Sequence, residues 1–323
     1  MNLKVLYKNE YRNILIGNRG GYYFLIDNKK VYISKDKFKD LLKNRVKTKK
    51  VNISISKPNI IVSYNLSWAT QKDSINGSEI KHVKDCIEKY GKKAVPYKKL
   101  SGCTNNLINK LLLFNKTNPL NNIDIICFQE GTIENIKLMF NKMNKSKKYN
   151  YHVSQISEIN ILWIIFKKEY GKPLEIFKGD FKNHPGRPIQ ILYFKNINTL
   201  LINAHFPHDV NINELVKLNI YPYVKKYLNN SRIIFCGDFN DSEKQLLKKN
   251  DIVLKQLNLR TPKAIDIKSC CYDNNFSQMG DYIFDTNKIN YFGILPNFDK
   301  IKLASDHKPV ILINNKNLIY INN

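Results

Sequence analysis

From Pro58 onward, short apolar runs alternate with amphipathic stretches, and this pattern predicts most of the regular structure. The runs Ile60–Tyr64, Ile123–Phe128, Tyr151–Ser154, Asn160–Phe166, Leu174–Phe177, Ile189–Phe194, Leu200–Asn203, Ile233–Phe235, Tyr282–Phe284 and Val310–Ile313 have the length and β-branched or aromatic content of strands. Between them, spacing of three and four apolar positions predicts helices over Ser78–Tyr90, Leu107–Phe114, Ile133–Met143 and Asn213–Leu228, and another after Ser242. Strands in succession with interleaved helices imply two packed sheets with helices outside. Residues 1–57 read differently. Tyr22–Ile26 and Val31–Ser34 flank the polar turn Asp27-Asn28-Lys29-Lys30 as a β-hairpin, Ser34 caps a short basic helix from Lys35 to Lys43, and Leu42–Lys57 is a basic linker or edge segment. The expected division is a basic, β-rich extension over 1–57 and a main domain over 58–323.

Charge adds a partner class. The chain carries 53 basic and 27 acidic residues, a formal charge of +26, which suits a polyanion. Only six of the basic residues are arginine, the better side chain for planar phosphate recognition. Lysine, asparagine and isoleucine abound throughout, so charge supports nucleic acid without proving it. No apolar stretch reaches the roughly 20 residues that span a bilayer, and charge breaks the N-terminus too early for a signal peptide. The six cysteines (86, 103, 127, 236, 270 and 271) match neither a disulfide scaffold nor a zinc ribbon. A reducing, intracellular location is expected. The adjacent pair Cys270-Cys271 is read as two ordinary thiols, with redox activity as the alternative.

The chemistry sits at strand ends. In chain order come Asn65, Glu130 (in Phe128-Gln129-Glu130), Arg187 (in Gly186-Arg187-Pro188), His205 (in Asn203-Ala204-His205), Asp238 and Asn240 (in Gly237-Asp238-Phe239-Asn240), Asp281, and Asp306 with His307 (in Ser305-Asp306-His307). Acidic groups at the mouths of buried strands are costly unless neutralised: two carboxylates about 4 Å apart repel by roughly 4 kcal/mol at an effective dielectric of 20. A divalent cation removes that cost. Asp238 and Asn240, two apart, point to one side of an extended segment. Asn65 also suits a plain turn, and Asp285 rivals Asp281.

These motifs, over about residues 58–315, resemble the endonuclease/exonuclease/phosphatase superfamily, most strongly at Gln129-Glu130, Gly237-Asp238-Phe239-Asn240 and Ser305-Asp306-His307. The resemblance implies a four-layer α/β sandwich with its active site at one edge. It implies Mg²⁺, with Mn²⁺ as a substitute, held by Glu130 with Asn65 and Asp306. It makes Asp238 the group that orients or deprotonates the attacking water, with Asn240 holding phosphate or nucleophile. His307 would bind a non-bridging oxygen, and Asp281 would hold its imidazole. His205 would contact the phosphate or protonate the leaving oxygen, and Arg187 would contact the phosphate. The expected activity is Mg²⁺-dependent hydrolysis of DNA or RNA phosphodiesters. The alternatives are a phosphoinositide or sphingomyelin enzyme and an inactive nucleic-acid-binding module. Ser67 stands where many abasic-site enzymes carry a second aspartate, and His205 where that branch has tyrosine. Gln155, with Glu158 nearby, is the expected partner of His205.

Overall fold

The computed structural model describes residues 4–7, 10–13, 15–16, 22–26, 29–36, 56–67, 81–90, 103, 105–106, 108–109, 111, 123–154, 160–240, 255–260, 267–271, 279–295 and 305–314. The chain divides into two compact units, Met1–Ser54 and Ile55–Asn323. In the first, β1 (Lys4–Tyr7) pairs antiparallel with β2 (Glu10–Asn13), and β3 (Leu15–Ile16), β4 (Tyr22–Ile26) and β5 (Lys29–Ile33) form a second antiparallel sheet. The expected hairpin is β4–β5. Most of the expected basic helix and linker lies outside the described residues.

The second unit has two mixed sheets. The six-stranded sheet contains β6 (Ile60–Asn65), β7 (Ile125–Gly131), β8 (Tyr149–Ser154), β9 (Ile161–Lys167), β15 (Tyr291–Ile294) and β16 (Val310–Ile313), in the order β15-β16-β6-β7-β9-β8. The five-stranded sheet runs in order through β10 (Leu174–Phe181), β11 (His184–Phe194), β12 (Thr199–His205), β13 (Arg232–Asp238) and β14 (Asp281–Asp285). Strand alternation builds the layers. Ile61, Ile125, Cys127, Ile164 and Phe166 turn inward to share one core with Leu201, Ile234 and Cys236 of the other sheet. Their neighbours Ile60, Val62, Ile126, Phe128, Trp163 and Ile165 turn outward to pack with Ile136 and Met139 of helix α2 (Ile133–Met143). Helix α1 (Lys81–Tyr90) buries Val83 and Cys86. Ile212, Leu215 and Val216 of α3 (Ile212–Asn219) are buried in the cluster that covers both faces of the five-stranded sheet. This is the four-layer α/β sandwich expected from the pattern.

The pattern did not foresee β1, β2 and β3, and two elements of the second unit differ from it. The helix expected over 213–228 is three short pieces: α3, α4 (Tyr221–Val224) and a 3₁₀ turn (Lys225–Tyr227). Pro222 lacks the N–H a continuous helix needs, so it sits in the first turn of α4. The edge strand β15 was not foreseen, because Gly293 interrupts a run of only four residues. The helix expected after Ser242 lies outside the described residues.

The cysteines also depart from expectation. Cys86 is joined to Cys103, and Cys270 to Cys271, while Cys127 and Cys236 are buried free thiols. Separations of 17 and 1 residues form no recognisable scaffold; folding brings Cys103 to the buried face of α1.

Candidate active site

Each sheet contains one parallel strand pair, and the site gathers at the carboxyl ends of both. In β6–β7, Asn65 stands opposite Gln129; in β12–β13, His205 stands opposite Asp238. Antiparallel β14 begins opposite Asp238 with Asp281. Carboxyl ends of parallel strands are where open α/β sheets place ligands. Gly237 is required here: a Cβ would lie 2.2 Å from the Ala204 carbonyl oxygen, so only glycine lets β13 approach β12 beside Asp238.

The sheets are pinned together just below the site by a buried amide bridge. The Gln129 amide donates to Asn203 Oδ1 at 2.7 Å and to Ser63 Oγ at 3.2 Å, and the Asn203 amide donates to the Phe128 carbonyl at 3.1 Å. One residue later the β7–β9 register breaks between Phe128 and Gly131, and Glu130 takes a left-handed backbone (φ 54°). That turn carries Glu130 out of the pleat. Non-glycine residues adopt this conformation rarely, and they concentrate at functional sites. Ser67 (φ 52°) and Asn240 (φ 47°) share it.

Glu130, His205 and Asp238 offer one ligand atom each, all within 4.8 Å of one another. His205 Nε2 is 3.7 Å from Glu130 Oε1 and 3.6 Å from Asp238 Oδ2. Asn65 serves two ends. Its Oδ1 accepts from the Ser67 backbone at 2.9 Å, closing a turn, while its amide donates to Asp238 Oδ2 at 2.8 Å and Glu130 Oε1 at 3.0 Å. The turn reading and the site reading of Asn65 therefore both hold. In this geometry Asn65 clamps the two carboxylates with its nitrogen, and its oxygen faces the Ser67 backbone.

A second group shares Asp238. His307 Nε2 is 3.6 Å from Asp238 Oδ2, and His307 Nδ1 is 2.9 Å from Asp281 Oδ2. Ser305 fixes the segment: its hydroxyl donates to the Asn65 carbonyl at 2.8 Å and accepts from the His307 backbone at 3.1 Å. Ser269 Oγ accepts from the backbones of Gly280 (3.2 Å) and Asp281 (3.3 Å). Asp306, half-buried beside Ser305, acts on His307 through its charge. Asp285, the rival of Asp281, lies at the far end of β14 in a buried ion pair with Arg232.

Beyond the cluster, an Arg187 guanidinium nitrogen meets His205 Nε2, and the same nitrogen donates to the Phe206 carbonyl at 3.4 Å. Asn240 donates from its side chain to that carbonyl at 2.7 Å and from its backbone to Asp238 Oδ1 at 2.9 Å. Gln155 and Glu158 lie outside the described residues. The atoms facing His205 Nε2 are instead Arg187, Glu130 and Asp238, and His205 Nδ1 has no hydrogen-bond partner among the described residues.

Burial sets the protonation. The Asp238 carboxyl is pushed up to about 7 by desolvation, aided by Asp281 and opposed by His307, Asn65 and the Asn240 backbone. Burial alone would lower His307, but Asp281, Asp238 and Asp306 hold its imidazole well above the ordinary range. His205 lies well below that range through burial and the positive charge of Arg187. It is neutral at pH 7, the state in which imidazole binds a cation or accepts a proton. The carboxylates around His307, by contrast, favour its charged form. A buried carboxylate whose desolvation is so poorly offset, facing a second carboxylate and a neutral imidazole, fits a divalent cation.

Sequence reasoning missed Gln129 as a bridge, and with it Asn203, Ser269 and Ser305. Gln129 and Asn203 carried a legible signal, an amide inside an otherwise apolar run.

Fold and cluster together set the frame: the chain has the fold of the endonuclease/exonuclease/phosphatase superfamily, and its clustered acidic and histidine side chains could hold a metal ion. Among solved structures, it is similar to an endonuclease/exonuclease/phosphatase family protein from Leptotrichia buccalis (15% identity, TM-score 0.53, covering 80% of this chain and 99% of that one). A family protein from Bacteroides thetaiotaomicron is similar to the same extent (18% identity, TM-score 0.52, 80% and 98%). So is a mannosyl-6-phosphatase from that bacterium (16% identity, TM-score 0.51, 79% and 98%). No family model matches the chain, and no curated protein matches it.

Proposed function

We propose that this protein is a Mg²⁺-dependent phosphodiesterase that hydrolyses nucleic acid by attack of water at phosphorus. The observation that carries the reading is the sharing of Asp238 between two groups. On one side it converges with Glu130 and His205; on the other it faces the imidazolium of His307, which Asp281 orients. Glu130 would hold the cation with Asp238 or His205, and Asp306 and Asn65 border that shell. The cation would supply charge stabilisation at the phosphoryl and leaving oxygens.

The chain's own groups have separable tasks. His307, charged and held at Nδ1, presents Nε2–H as a donor to a non-bridging oxygen. Asp238, its carboxylate steadied by the Asn65 amide and the Asn240 backbone, orients a water and takes its proton. Asp281 fixes the orientation of the His307 ring and favours its charged form. Arg187 reaches the same face for a second phosphate oxygen. Support for a polyanionic chain as substrate comes from the +26 charge.

The test is a panel of labelled duplex DNA, single-stranded DNA, RNA and phosphoinositide vesicles with Mg²⁺, Mn²⁺ or chelator. Metal-dependent cleavage of a nucleic acid, lost in Asp238→Ala and His307→Ala, is expected. Release of phosphate from vesicles without nucleic-acid turnover would move the reading to a lipid enzyme. Retention of nucleic acid with a steep salt dependence but no turnover would leave a binding module.

A further inference from the structure

We propose that Cys270, Cys271 and His307 form a second metal site, selective for a thiophilic divalent cation such as Zn²⁺ and available only when the two cysteines are reduced. It is distinct in chemistry from the oxygen-rich cluster around Glu130.

Four observations converge. Ligand atoms of Cys270, Cys271 and His307 all lie within 4.8 Å of one another. Cys270 Sγ is 3.6 Å from His307 Nε2. With Zn–S about 2.3 Å and Zn–N about 2.0–2.1 Å, the sulfur–nitrogen edge of a tetrahedral site is about 3.6 Å, so the two ligands already stand at the required separation. His307 Nδ1 is bound to the Asp281 carboxylate at 2.9 Å, the outer contact that fixes the tautomer of a metal-binding histidine and leaves Nε2 for the metal. The backbone holds the pieces in register: Cys270 and His307 form a β-bridge, and the Lys308 backbone donates to the Ser269 carbonyl at 2.7 Å.

Room and access are also present. A Cβ on Gly280 would lie 3.2 Å from Cys270 Cβ, 3.7 Å from Cys270 Sγ and 3.6 Å from Asp238 Oδ1. A side chain there would crowd the Cys270 Cβ. Cys270 is buried, but Cys271 is partly exposed, giving an entry side. The fourth position is left open for a water or a small anion. Two thiolates select a borderline-soft cation such as zinc over magnesium.

In the structure the two sulfurs are joined, and a disulfide offers no thiolate. Opening takes a dithiol reductant: it is oxidised to its cyclic disulfide, the Cys270–Cys271 bond breaks, and each sulfur gains a proton. Zn²⁺ then displaces both thiol protons, and any proton on Nε2, into solvent. Because Zn²⁺ and the proposed phosphate donor use the same nitrogen, occupancy silences hydrolysis, a consequence that rests on the proposed function. The metal site itself does not.

The experiment is cobalt titration of the full chain, before and after reduction by a dithiol that is then removed. Reduced protein should take up one Co²⁺ per chain with thiolate-to-metal charge-transfer absorption, displaced by Zn²⁺. The absorption should be absent from the oxidised protein and lost in Cys271→Ser and after alkylation of Cys271 in the wild type. Asp281→Asn should weaken Zn²⁺ binding by about 10–100-fold. Glu130→Gln should retain the full signal, so failure of the phosphoesterase reading and failure of this one are distinguishable. No charge-transfer band in reduced protein, or a band undiminished in both Cys271→Ser and alkylated protein, overturns the proposal.

Discussion

The strand pair β13–β14 buries aspartates at both ends, and Asp285 at one end and Asp238 at the other have opposite fates. At one end Asp285 meets Arg232 at three nitrogen–oxygen contacts, two from Nε at 3.0 and 3.2 Å and one from Nη2 at 2.5 Å. It also accepts from the Asn314 amide at 2.6 Å and the Asn287 backbone at 2.8 Å. Arg232 donates to the Pro58 carbonyl as well, so its fork is used on both sides. At the other end Asp238 has an amide, a backbone N–H and two imidazoles around it, and its carboxyl still rises to about 7. A buried charge that the fold has completed is structural. One left short of compensation is a place for something from outside the chain.

Several changes would break or sharpen that contrast. The largest effect is on chemistry: Asp238→Ala should lower phosphodiester cleavage by about 10²–10⁴-fold, measured as initial rates with saturating Mg²⁺, while the fold persists by circular dichroism. Arg232→Ala should do the reverse. Stranding a buried carboxylate costs about 3–5 kcal/mol, read in chemical denaturation, whereas replacing both partners together (Arg232→Met with Asp285→Leu) should recover most of the loss. Equal damage from the single and double variants would contradict the ion-pair account. Mg²⁺ should stabilise the wild type by about 2.7 kcal/mol at a hundred times its dissociation constant, with the shift lost in Glu130→Gln. A shift of full size in that variant would place the cation elsewhere.

Smaller effects test the supports. Ser305→Ala leaves the Asn65 carbonyl and the His307 N–H without their partner, and should cost about 1–3 kcal/mol; thermal unfolding measures it. The pH dependence follows from Asp238. Its folded value of about 7 lies above the ordinary 3.8, so between those values the folded, cation-free chain holds a proton that the unfolded chain has released. This group's contribution therefore falls as pH rises from about 4 to 7 and is level above. The stability difference between wild type and Asp238→Asn in chelator should trace that slope; a difference that grows with pH would reverse the assignment.

Much of this architecture was legible along the chain. Strands such as Ile233–Phe235 and Val310–Ile313 announce themselves by continuous apolar content, which two-sided burial demands. The residues Glu130, Asp238 and His307 stand out as costly groups beside such runs. Helix continuity over 213–228 was misread because apolar spacing persists through Pro222. The Cys86–Cys103 link was invisible because its partners belong to different segments.

What the sequence determined by itself was most strands of the main domain, the two-layer logic of their alternation, and the identity of polar groups too expensive to bury for nothing. Tertiary structure alone decided how those groups divide their labour. It assigned Asp281 to His307 and Asp285 to Arg232, turned the Asn65 amide toward two carboxylates, and set the Cys270 sulfur against His307 Nε2. The reason is physical: periodicity is a property of neighbours along the chain, whereas the balance of desolvation against compensating charge depends on atoms that meet only after two sheets have closed on each other.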